Sequence, residues 1–99
     1  MSKKQGLAPI HPGCFLKEIL DELGISRAAF ARAVGLSPMR ISHAINGARP
    51  ITAEMALLFG KAFGQTPQYW LNLQADYDLK IASRAVAGKL TRISPVAHT

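Results

Sequence analysis

Four arginines, Arg27, Arg32, Arg40 and Arg49, fall between Gly24 and Ala53 with no acidic residue among them. Among and beside them are Ser37, Ser42, His43, Asn46 and Thr52, side chains that can both donate and accept hydrogen bonds. The acids Glu18, Asp21, Glu22, Glu54, Asp76 and Asp78 all lie outside that stretch. Guanidinium groups without counter-charges, mixed with small polar residues, suit a phosphodiester backbone and the edges of bases. The formal net charge of +6 favours the same kind of polyanionic partner. A charge pattern serving only solubility would mix signs along every helix. Enzyme chemistry finds no support: there is no nucleophile–base pair, no phosphate-cradling glycine loop and no carboxylate cluster on one face, so no catalytic residue is assigned.

The remaining candidate groups are sparse. His11 and Cys14 have the spacing of a metal pair, but two ligands do not make a site and no second pair stands nearby, so no metal or cofactor is expected. The single cysteine excludes an intramolecular disulfide. No apolar run approaches the roughly 20 residues of a membrane span, and MSKKQGLAPI lacks the apolar core of a signal peptide. These features predict a cytoplasmic protein with no membrane contact and no small-molecule substrate. Ninety-nine residues suit one modest core.

The basic stretch SRAAFARAVGLSPMRISHAING reads as two short helices and a tight turn. Ser26 caps the first, Gly35 ends it in a conformation open to glycine, and Ser37-Pro38 opens the second. Ala31, Gly35 and Ile41 occupy the places where two steeply crossing helices need a small residue, a corner and an apolar plug, with Phe30, Val34 and Leu36 around them. This is the helix-turn-helix pattern, whose second helix enters a DNA major groove. At about 100° per residue from the inward-facing Ile41, Met39, His43 and Asn46 fall on the opposite face, flanked by Arg40 and Ser42. Pro38, Met39, Arg40, Ser42 and His43 are therefore the candidate base contacts. Arg40 is the donor suited to a guanine and Met39 the apolar partner suited to a thymine methyl. Arg27, Arg32, Ser37, Asn46, Arg49 and Thr52 are the candidate phosphate contacts. Arg49 leads them because its loop follows the groove helix.

The rest of the chain frames this unit as an all-α, five-helix domain. Residues 1–10, with Lys3 and Lys4, read as a flexible arm. A first helix over 12–23 offers Phe15, Leu16, Ile19, Leu20 and Leu23 to the core. A fourth, over 53–63 and capped by Thr52, offers Met55, Ala56, Leu57, Phe59 and Phe63, leaving Leu58 surplus. A fifth, over 67–82, carries two apolar stripes. Trp70, Leu73, Tyr77 and Ile81 form one; Leu71, Ala75, Leu79 and Ala82 form the other. One small domain covers only one of them, so the second stripe is assigned to a homodimer interface. The domain thus spans residues 11–82, followed by a basic flexible tail over 83–99, where Lys89–Ile93 weakly permits a strand.

HPG before the first helix, SRAAFARAVGLSPMRISHAING, RPIT and FGQTPQYWLNLQADYDL together resemble the HigA-type antitoxins of the Xre (lambda-repressor-like) family, from His11 to about Ile81. The helix-turn-helix portion is widely shared, whereas the fifth-helix segment is specific to this group. The resemblance implies a lambda-repressor-like fold and a homodimer on a palindromic double-stranded operator. It further implies neutralisation of a RelE-like (HigB-type) ribonuclease toxin and repression of the shared promoter. Arg27 departs from the glutamine of many relatives, Cys14 from a glutamate, and Leu58 from a polar residue. Two alternatives stay open on the residues alone: an Xre-type regulator with no toxin partner, and a protein-interaction antitoxin that binds DNA only weakly.

Overall fold

Short-range capping sets the helix boundaries. The hydroxyl of Ser26 accepts from the Ala29 N–H at 3.0 Å, that of Ser37 from Arg40 at 3.1 Å, and that of Thr52 from Met55 at 3.2 Å. Each satisfies a donor that the first helical turn would otherwise leave without a partner. In the computed structural model, which describes residues 8–96, these caps open α2 (Arg27–Val34), α3 (Pro38–Ile45) and α4 (Ala53–Phe63). Before them lies α1 (Pro12–Leu23), and after them α5 (Pro67–Ala85) and a one-turn α6 (Ala87–Leu90); no strand occurs among the described residues. At the corner between α2 and α3, Gly35 takes φ 75°, a conformation that a Cβ would disfavour.

The core forms where α2, α4 and α5 meet. Phe30 lies 5.4 Å from Phe59 and 5.1 Å from Phe63 between ring centroids, and Phe59 meets the fully buried Trp70 edge-on at 5.4 Å. The indole N–H of Trp70 donates to Gln65 Oε1 at 2.8 Å, so its one polar atom is satisfied. Helix α3 buries Ile41, Ala44 and Ile45 against α1 and α2. Its approach to α1 depends on Gly13, because a Cβ there would run into the backbone carbonyl oxygens of Ala44 and Ile45.

Several sequence expectations shift. Leu57, expected in the core, is exposed, and Leu58, expected to be surplus, is half-buried against the core instead. Helix α4 is covered by α2 and α5, and this arrangement selects the face carrying Leu58. Leu23, the final residue of α1, is 57% exposed, and the helix packs through Leu16 and Leu20 instead. Ile81 is also exposed, since the distal half of α5 leaves the core. Helix α5 continues to Ala85 rather than stopping at Ala82, and α6 occupies part of the segment expected to be flexible or to form a strand. No glycine or proline interrupts the chain between Pro67 and Gly88, so nothing local ends α5 sooner. The expected N-terminal arm lies largely outside the described residues, Lys3 and Lys4 included.

Candidate nucleic-acid interface

With Ile41, Ala44 and Ile45 turned inward, α3 presents Pro38, Met39 and Arg40 to solvent, with Ser42 and His43 half-buried along the same helix. Met39, Arg40, His43, Arg49, Thr52 and Met55 line a single concavity of about 360 Å³. Four candidate DNA contacts from α3 and the following loop thereby converge with the cap of α4. Arg40 Nη2 lies 3.1 Å from Glu54 Oε1, an exposed ion pair that water and salt weaken. On the other side of α3, Arg27 Nη1 donates to Ser42 Oγ at a long 3.4 Å, which places a cation from the start of α2 beside the groove helix.

Arg49 belongs to the loop over residues 46–52. This loop is tied to α3 by the N–H groups of Ala48 and Arg49, which donate to the His43 carbonyl at 2.9 and 3.3 Å. From α5, Gln74 Oε1 accepts from the Ile51 N–H at 2.7 Å. Beneath the loop lies His11, whose Nδ1 accepts from the Gly13 N–H at 2.9 Å and whose ring meets Tyr77 edge-on at 4.9 Å. Burial pushes the His11 imidazole below the usual histidine value; a hydrogen bond to the Arg49 backbone and the Asp78 charge oppose that shift. His11 is thus a helix cap and loop support, while Cys14 is exposed and among the described residues no group of three or more potential ligands gathers.

Arg32, Ser37 and Asn46 stand apart from the concavity. Arg32 is exposed in the last turn of α2, and Asn46 caps the C-terminus of α3. The hydroxyls of Ser37 and Thr52 accept from helix N–H groups and keep a proton to donate elsewhere. In the second α5 stripe, Leu71 is half-buried against the protein's own core, whereas Ala75, Leu79 and Ala82 are exposed. Sequence reasoning missed two participants. Glu54, read only as an acid outside the basic stretch, pairs with Arg40; Gln74 had no signal, because a polar residue beside an apolar stripe reads as solvated.

An all-helical domain that sets a helix-turn-helix beneath a cluster of arginines is a DNA-binding regulator by fold and surface chemistry. The family description "Helix-turn-helix" matches residues 16–70, more than half of the chain. Virulence-associated protein I of Dichelobacter nodosus is 43% identical over 82% of this chain and 76% of its own length. The structure of an addiction module antidote protein of the HigA family from Coxiella burnetii superposes with a TM-score of 0.87 at 40% identity, covering 91% of this chain and all of that one. Pseudomonas aeruginosa antitoxin HigA, solved with the higBA promoter, superposes with a TM-score of 0.84 at 38% identity, covering 90% of this chain and 99% of that one. The chain belongs to the Xre-type helix-turn-helix family, among its HigA antitoxins. No helix among the described residues is long and apolar enough to cross a membrane.

Proposed function

We propose that this protein is a cytoplasmic, homodimeric repressor of its own operon and the antitoxin of a RelE-like, HigB-type ribonuclease. The observation that carries the DNA-binding part is the convergence of Met39, Arg40, His43, Arg49 and Thr52 on one concavity beside the exposed face of α3. In a complex, α3 enters the major groove from Pro38 and Arg40 exchanges Glu54 for a guanine edge, where a bidentate contact specifies sequence. Met39 packs on a thymine methyl, and Ser42 and His43 reach neighbouring base edges. Arg27, Arg32, Ser37, Asn46, Arg49 and Thr52 hold the flanking phosphates. The exposed Ala75, Leu79 and Ala82, with the edge of Leu71, pair with a second copy, so that two α3 helices read half-sites about one helical turn apart. The promoter-bound Pseudomonas aeruginosa HigA structure supports the operator assignment, and the HigA likeness supports the toxin partner.

The test is fluorescence anisotropy on the duplex upstream of the gene against a scrambled duplex at two salt concentrations. The upstream duplex is expected to bind on the order of a thousandfold more tightly. Arg40→Ala is expected to cost about 1–3 kcal/mol and relax one base position, while Arg49→Ala weakens every sequence alike. Equal, steeply salt-dependent binding to both duplexes would reduce the interface to a charge patch. Co-purification with the product of an adjacent gene encoding a small basic ribonuclease tests the antitoxin part.

A further inference from the structure

The loop between α3 and α4 has two faces. Arg49 and Pro50 border the concavity beside α3 on one side and a second concavity, walled by His11, Gln74, Tyr77 and Asp78, on the other. Gln74 is the one buried polar side chain among the described residues, and its carboxamide is used at both ends. Its Nε2 donates to Asp78 Oδ1 at 2.9 Å, and its Oε1 accepts from the Ile51 N–H at 2.7 Å. The Asp78 carboxylate can only accept, so it orients the amide and turns the oxygen toward the loop. His11 acts on the other side of Pro50. Because its Nδ1 accepts from Gly13, the ring proton of the neutral form sits on Nε2, and the ring adjoins Arg49 in the same concavity. The Gln74 bond to Ile51 and the His11 ring beside Arg49, from two remote elements, therefore bracket Pro50, whose own φ is fixed by its ring. The burial of Ile51 already anchors the end of the loop, so these contacts chiefly set its orientation.

We propose that Gln74, oriented by Asp78 and assisted by His11, is a positioning residue for DNA binding: it holds the 49–51 backbone so that Arg49 projects over the operator phosphates. This rests on the reading of Arg49 as a phosphate contact. It makes the strength of the backbone clamp a property of α5, an element that does not itself belong to the helix-turn-helix.

Replacing Gln74 directly would leave a buried Ile51 N–H without a partner and endanger folding, so the test acts through the exposed Asp78. Asp78→Ala and Asp78→Asn remove the same negative charge, but only the asparagine keeps an acceptor for Gln74. Both are measured in the full chain by anisotropy across a salt series, on upstream and scrambled duplexes, alongside Arg49→Ala and the Arg49→Ala/Asp78→Ala double variant. Charge alone predicts that both Asp78 variants bind DNA as tightly as the wild type or more so. Positioning predicts that Asp78→Ala binds both duplexes about 3- to 10-fold more weakly, with the slope of log K against log salt reduced by up to about 0.9, one phosphate contact. Asp78→Asn is expected to keep the wild-type slope, and the double variant to bind no more weakly than Arg49→Ala alone. The proposal is overturned if Asp78→Ala matches Asp78→Asn, or if the losses in the double variant add. An Arg49→Ala protein that binds as tightly as the wild type removes the phosphate contact, and the positioning role with it.

Discussion

Helix α3 is entered by a turn and left by a loop, and the two connections are held by different means. At the entry, Gly35 takes its left-handed conformation, Leu36 plugs the core and the Ser37 hydroxyl caps the next turn, all within a few residues. At the exit, backbone bonds to His43 begin the loop, but Gln74 from α5 and His11 from the start of α1 complete its support. A locally encoded turn forms the same way in any context that lets its two helices pack. A loop held from a distance exists only once α1 and α5 are in place, so its geometry reports on the whole domain. The α3 side chains proposed to read the groove are thus set by local chemistry, and Arg49, proposed to clamp the backbone, by tertiary structure.

The comparison can be broken most forcefully at Gly13. Gly13→Ala drives a methyl group into the carbonyls that end α3, and is expected to cost about 3 kcal/mol in chemical denaturation as overpacking against rigid backbone. Because Gly13 also receives the His11 cap, DNA affinity should fall with it; an unchanged midpoint would show that α1 does not seat against α3. Gly35→Ala tests the other connection. Its φ of 75° predicts a loss of about 1–2 kcal/mol, with the salt dependence of DNA binding left intact because the distant loop is undisturbed. A reduced salt slope in this variant would mean that turn and loop are not independent.

Acid provides a gentler test of the loop. The folded-state pKa of His11 is lowered by burial, so the unfolded chain takes up the proton first. The stability His11 contributes is complete above the ordinary histidine pKa of about 6.5 and is lost as pH falls from there through the lower folded value. The Asp78 charge and the Arg49 backbone favour the imidazolium and limit the loss. Thermal melts of wild type and His11→Asn across that window should converge as the pH drops; parallel curves would detach His11 from the effect. The smallest change is expected from Glu54→Gln. Both partners of its ion pair with Arg40 are largely exposed, so stability should move by less than about 1 kcal/mol. Affinity for both duplexes should rise slightly as a carboxylate leaves the basic face; a loss would show that Glu54 orients Arg40 usefully.

Much of this interface is legible in the chain because its signals are short-range. Ser26, Ser37 and Thr52 cap helices as their types suggest, and the absence of acids between Gly24 and Ala53 marks the proposed binding face before any fold is known. Choices between adjacent apolar residues are less legible. Leu57 and Leu58 sit about 100° apart on α4, and composition offers no reason to bury one rather than the other. Only the packing of α2 and α5 against that helix selects Leu58. Similarly, Leu71 belongs by periodicity to the stripe of Ala75 and Leu79, yet the chain's own core half-covers it.

By itself, the sequence determined the number and order of the main helices, the turn at Gly35, the charge of the DNA-facing surface and the family, because caps, periodicity and charge act within a few residues. Tertiary structure alone decided that Arg40 meets Glu54, that Gln74 meets Ile51 and that His11 supports the Arg49 loop. Those contacts join residues far apart in the chain. A hydrogen-bonding group can be recognised in a sequence, but its partner is chosen only when packing brings the two within about 3 Å.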